Sequence, residues 1–142
     1  MKQLCTLKVL LVALWCLSMS VKSYAVVYSG SCGENVYWSL DTETGLLEIT
    51  GSGEMEDFQD FDDIPWYSHR SSINKCSIEN SVTSIGNAAF SGCTGLTSIT
   101  IGNSVTSIGS SAFNGTPWLN NQSDGLIYIG KPKIRNYHPI HD

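Results

Sequence analysis

The sequence predicts a mainly β fold: a short stack of 23-residue coils behind an N-terminal β-hairpin cap. Three observations predict it. The heptapeptide NSVTSIG occurs twice, at Asn80–Gly86 and at Asn103–Gly109, an offset of 23 residues. The apolar residues around the two copies keep the same register. The stretch from Cys32 to Thr50 alternates apolar and polar residues on both sides of a polar turn.

The repeat sets the architecture. Aligning Ile78–Cys93 with Ile101–Thr116 leaves 11 of 16 positions identical. One unit reads Ile73, Cys76, Ile78, Val82, Ile85, Ala89, Phe90, Cys93; the next reads Leu96, Ile99, Ile101, Val105, Ile108, Ala112, Phe113, Thr116. A period in the twenties is that of leucine-rich-repeat solenoids. Within a unit, Ile99 and Ile101 alternate with Ser98 and Thr100, the pattern of a short strand with its isoleucines inward. Gly102-Asn103-Ser104 is a turn cluster. Val105 and Ile108 make a second inward step, Gly109 permits a sharp turn, and Phe113 is the largest core filler of its coil. A single coil buries too little to offset the entropy of ordering it, so coils must stack. Two units are complete. Leu119, 23 residues after Leu96, starts a partial third; Gln122 and Asp124 then fall where isoleucines belong.

The cap precedes the coils. Val36, Trp38 and Leu40 alternate with Tyr37 and Ser39, and Leu47 and Ile49 alternate with Glu48 and Thr50. Asp41 to Gly45 joins the two strands as a hairpin turn. The apolar face of this hairpin is expected to cover the first coil. Between cap and repeats, Glu54, Glu56, Asp57, Asp60, Asp62 and Asp63 place six acids within ten residues. Calcium favours clustered oxygens, but EF-hand spacing is missing, so the segment reads as a solvated acidic loop. Phe58, Phe61, Trp66 and Tyr67 are expected to tuck it onto the cap.

Residues 1–25 have the layout of a secretory signal peptide: Lys2 and Lys8, an apolar run from Val9 to Met19, and small residues at Ser23 and Ala25. A span would need about 20 apolar residues. The expected organisation is therefore a signal peptide over 1–25, a β cap with acidic loop over 26–72, leucine-rich repeats over 73–119, a terminal strand over 120–130 and a disordered tail over 131–142. Cleavage after Ala25 removes Lys2, Lys8 and Lys22 and leaves five basic residues against 13 acidic ones. Such a surface repels phosphate backbones and argues against nucleic acid as a partner.

Cys32, Cys76 and Cys93 remain after cleavage. Cys76 aligns with Ile99 and Cys93 with Thr116, both inward positions, so the thiols read as packing residues. Neither a CxxC pair nor a Cys/His spacing suggests a metal, and one disulfide would leave a thiol free. His69 sits in a polar stretch; His138 and His141 lie in the tail. No G-x-S-x-G elbow or base-flanked cysteine is present, and an enzyme is not expected. No cofactor is implied. Trp66 and Trp118, each after a proline, could stack on sugars but read more simply as fillers. Asn114-Gly115-Thr116 and Asn121-Gln122-Ser123 are glycosylation sequons.

The unit SVTSIG..AF..C..LTSITI, the leader CGENVYWSLDTETGLLEITGSGEMEDF…PWY and the segment GTPWLNNQSDGLIYIGK together resemble BspA-type leucine-rich repeat proteins, over about Cys32 to Lys131. The resemblance implies a secreted or surface-exposed bacterial binding module, adhering to proteins or glycans of host or neighbouring cells. It carries no catalytic residues. Family members have more units, and their YIGK segment leads into further repeats, whereas here PKIRNYHPIHD follows; a truncated remnant with no activity of its own is the alternative. The outward strand positions Ser77, Ser98 and Thr100, with Lys75 beside them, are the candidate ligand-binding residues.

Overall fold

In the computed structural model, residues 24–122 are described. The expected signal peptide, terminal strand and tail lie wholly or mostly outside them. The hairpin forms where the alternation places it, as β2 (Val36–Asp41) and β3 (Leu46–Gly51), paired antiparallel with Trp38 opposite Ile49 and Leu40 opposite Leu47. Val36, Trp38, Leu40, Leu47 and Ile49 are buried, while Tyr37 is exposed. The Asp41 carboxylate fixes the turn by accepting from the Glu43 and Thr44 amides at 2.9 and 3.3 Å, and Gly45 supplies a left-handed φ of 68°.

A strand ahead of the hairpin extends it. β1 (Val27–Ser31) pairs antiparallel with β2 in an unbroken register from Val27↔Asp41 to Ser31↔Tyr37. Its sequence, VYSGS, lacks apolar alternation, and all five residues are exposed, so pairing begins ahead of the alternating stretch that starts at Cys32, though within the 26–72 span expected of the cap.

The short strands that follow are β4 (Gly53–Glu54), β5 (Lys75–Ile78), β6 (Val82–Ile85), β7 (Ser98–Thr100) and β8 (Ser107–Ile108). They form two parallel ladders. One sheet runs β1-β2-β3-β5-β7 and the other β4-β6-β8. In the first, Leu47, Cys76 and Ile99 lie abreast; in the second, Gly53 pairs with Val82 and Ile85 with Ile108. The hairpin thus does not close over the first coil as a lid. β3 and β4 are the first rung of the same ladders, and β1–β2 extend the sheet sideways. The reason is backbone satisfaction: joined edge to edge, the first coil finds hydrogen-bond partners for its strands as well as cover for its side chains.

The 23-residue interval is visible bond by bond. Asn103 N–H donates to Asn80 Oδ1 (3.0 Å), Ser110 N–H to Asn87 Oδ1 (2.6 Å) and Thr106 N–H to the Thr83 carbonyl (2.9 Å). One coil earlier, Asp57 takes the amide's place, its carboxylate accepting from Asn87 N–H at 2.8 Å. The acidic loop is therefore joined to the stack rather than merely solvated at this residue.

Inside, aromatic rings climb the stack. Trp38 and Phe58 meet Trp66 edge-on, Trp66 stacks on Phe90, Phe90 lies parallel to Phe113 at 5.2 Å between centroids, and Phe113 meets Trp118 at 4.8 Å. The buried Trp66 indole N–H is satisfied by the Ala89 carbonyl at 2.9 Å. Beyond Phe113, the buried Thr116 hydroxyl bonds the Phe113 carbonyl and caps the one-turn helix α1 (Pro117–Asn120) through Leu119 N–H.

Glycine has a different task here from the sharp turn expected of Gly109. A Cβ on Gly109 would run into the backbone of Gly86 and Asn87, and one on Gly86 into the Glu56 carbonyl. These glycines let successive coils approach. The left-handed turn comes two residues later, at Ala88 (φ 54°) and Ser111 (φ 55°).

Candidate interaction face

In a strand, alternate residues share a face, and parallel register then lines those residues up across rungs. Lys75 stands beside Ser98, with Leu46 on its other side; Ser77 stands beside Thr100, with Glu48 on its other side. The sheet thus brings all four candidate residues into two adjacent rows on its outer face. Lys75, Ser98 and Thr100 are exposed and Ser77 is half-buried. The same rows run on into the hairpin, through Asp41 beside Leu46 and Ser39 beside Glu48, with Tyr37 and Thr50 forming a third row. The sequence reading missed Glu48, Tyr37 and Thr50. The signal for them was available, since the alternation that buries Trp38 and Ile49 must turn their neighbours outward.

Charge is segregated along the chain. All 11 acidic residues among the described ones fall between Glu34 and Glu79, and the coil from Asn80 to Gln122 carries no Asp, Glu, Lys or Arg. Arg70 and Lys75 are the basic residues of this region. Arg70 is engaged: its guanidinium lies 4.0 Å over the Tyr67 ring and donates to the Tyr67 carbonyl at 2.9 Å. Lys75 is therefore the cation presented on the face. Hydroxyls surround it on one side and the Glu48 carboxylate lies a row away.

The other candidate positions fall elsewhere. Trp66 is wholly buried, so its ring cannot stack on a sugar, and half-buried Trp118 leans on Phe113. Phe58 is buried as expected, whereas Phe61 does not tuck in: it is 53% exposed, stacked on Tyr67 at 5.5 Å. His69 stacks on Tyr28 at 4.0 Å. An open cleft of about 470 Å³ is lined by Gly33, Asn35, Glu34, Glu54, Glu56 and Asp57 among others. Among the described residues, no group of three or more His, Cys, Asp and Glu is placed to hold a metal ion.

The three thiols are free and buried. Burial pushes Cys32 up to about 12, with the Glu56 carboxylate adding to it. Burial likewise lifts Cys93 to about 12, against a small opposing pull from Arg70. Cys76, buried and near the other two, is raised well above the usual range. All three are protonated fillers, as the alignment of Cys76 with Ile99 and of Cys93 with Thr116 suggests for the two in the repeats.

Residues 65–131 match the model of the BspA type leucine rich repeat region (6 copies). The 65–131 segment belongs to the BspA-type leucine-rich repeats. Its start at Pro65 takes in Trp66, the first ring of the coil-to-coil aromatic column. The chain is also similar to the crystal structure of a leucine-rich repeat protein from Eubacterium ventriosum, with 29% identity and a TM-score of 0.66 over 79% of this chain. This chain spans 28% of that protein's length. No curated protein matches the sequence. No helix among the described residues is long and apolar enough to cross a membrane.

Proposed function

We propose that the chain is a secreted or cell-surface, non-catalytic binding module that takes a protein ligand on the outer face of its five-stranded sheet. In this reading the two ladders are a short solenoid: two 23-residue units over 73–119, a partial third, and the β cap of 26–72 as a preceding rung, behind a signal peptide over 1–25. The observation that carries it is the alignment of Lys75, Ser77, Ser98 and Thr100 in adjacent rows of one exposed face. A flat array of hydroxyls around one lysine suits an acceptor-rich surface, a backbone or a carboxylate, more than a small molecule, which would need concavity. The ligands are proteins of host or neighbouring cells, and adhesion is the biological role.

Few rungs give little contact area. The expected affinity is therefore weak for a single copy and rises when copies are arrayed. The test is binding to immobilised extracellular-matrix proteins and to a glycan array, comparing wild type with Lys75→Glu and Thr100→Arg. Loss of binding in both variants, with Ser107→Arg on the second sheet unaffected, is the expected result. Silence on both surfaces at high protein concentration, for single and arrayed copies, overturns it. The 28% share of the Eubacterium ventriosum protein favours a second reading, in which the chain is a piece of a longer repeat protein and binds only as part of it. Binding that appears only when further repeats are appended would select that reading.

A further inference from the structure

Sheet edges are where chains pair by accident or by use, and sequences blunt them with charge, proline, bulges or short strands. The five-stranded sheet has two such ends among the described residues, β1 and β7. β7 is three residues long. β1 has five, an unbroken register with β2, and none of these devices: Val26–Ser31 reads VVYSGS, without charge or proline. Val26, Val27 and Tyr28 expose 49%, 59% and 39% of their surface.

The direction of its backbone groups follows from two bonds. Thr42 N–H donates to the Val26 carbonyl at 3.2 Å, and Cys32 N–H to the Val36 carbonyl at 2.9 Å. Hydrogen-bonded pairs alternate along an antiparallel ladder. The even-numbered residues therefore face β2, and Val27, Ser29 and Ser31 turn their N–H and C=O groups away from it. No strand among the described residues meets them.

We propose that β1 is an interface for a second copy of this chain, β1 pairing antiparallel with β1 about a two-fold axis through Ser29. Val27 of each copy then faces Ser31 of the other, and the outward N–H and C=O groups of both strands are satisfied. Self-pairing fits this edge for two reasons. An antiparallel strand pair is its own two-fold partner, which gives a closed, isologous contact. The chain's acidic residues would oppose contact between two copies elsewhere on the cap, and β1 carries none of them. Pairing joins the two five-stranded sheets edge to edge with their outer faces on the same side, so the proposed binding face is doubled. That consequence rests on the proposed function; the interface itself does not.

The test is sedimentation velocity of the purified full chain from micromolar to near-millimolar concentration, with amide exchange read at Val27, Ser29 and Ser31. The expected result is a concentration-dependent dimer in which these three amides gain protection. Ser29→Pro should weaken the dimer at least tenfold while leaving the monomer folded, because the Ser29 N–H serves no bond among the described residues. Ser29→Lys, which places like charges across the axis, should do the same. A monomer at every concentration overturns the proposal. So does a dimer untouched by both variants, which places the contact elsewhere. Protection of the three amides at a concentration where sedimentation shows only monomer overturns it too, because the edge is then covered within one chain.

Discussion

Phe90→Ala removes the ring at the centre of the aromatic column, between Trp66 and Phe113. The side chain is fully buried. Truncating a buried Phe to Ala costs about 3–5 kcal/mol. Here the upper part of that range applies, because both ring neighbours lose a stacked partner and each such pair contributes about 0.5–1.5 kcal/mol beyond area. The rest of the coil cannot collapse into the gap, since Gly86 and Gly109 already hold successive backbones in contact. A small domain has about 5–15 kcal/mol in total, and 1 kcal/mol moves the midpoint of a domain this size by about 4–8 °C. Thermal unfolding by circular dichroism should therefore show a midpoint lowered by roughly 15–40 °C. Phe61→Ala, an exposed ring of the same kind, should change stability by less than about 1 kcal/mol. If the two variants melt within a few degrees of each other, the column is not what holds the coils together.

Three further outcomes follow from the same geometry. Gly109→Ala should lose about 2 kcal/mol or more in urea unfolding, because the new methyl meets backbone that cannot swing aside; a neutral effect would mean the coils are not in contact there. Ala88→Gly should leave stability within about 0.5 kcal/mol of wild type, since relief of a left-handed non-glycine φ offsets the flexibility glycine adds; Ala89→Gly next to it should lose more than 1 kcal/mol, roughly, through lost burial. For the thiols the folded pKa is raised, so the folded chain holds its protons longer than the unfolded one. Their contribution is complete below about 9 and declines as pH rises toward about 12. Urea midpoints should be flat to pH 9 and fall above it, and a thiol reagent should label Cys32, Cys76 and Cys93 only at the rate of unfolding; fast labelling in the native state would contradict their burial.

The coil was legible because its period is explicit: Ile99 repeats Cys76, and Phe113 repeats Phe90, with only backbone ladders needed to set them abreast. The candidate face was legible for the same reason, as strand alternation turns Ser98 and Thr100 outward once Ile99 is placed inward. What the sequence concealed depends on contacts between segments. β1 has no apolar periodicity because all five of its residues stay exposed, with Tyr28 stacked on His69 and Gly30 against the edge of Trp38. The role of Asp57 could not be read from the acidic run around it, because its partner, the Asn87 amide, is 30 residues away. The reason for Gly86 and Gly109 was equally hidden: their φ is ordinary, and the constraint is the neighbouring coil. Trp66 looked like one of two similar Pro-Trp pairs, yet it lies at the root of the column and Trp118 near its far end.

The claim on which the rest depends is that hairpin and repeats are one stack, with β3 and β4 as its first rung. The most direct measurement follows the indole N–H resonances of Trp38, Trp66 and Trp118 through a urea titration of the full chain. Trp38 reports on the hairpin, Trp66 on the junction and Trp118 on the last coil. The account predicts that all three native signals disappear with one midpoint and one slope. Loss of Trp118 at a lower urea concentration than Trp38, with the hairpin signal intact, would show that the ladders do not couple the two parts, and would contradict it.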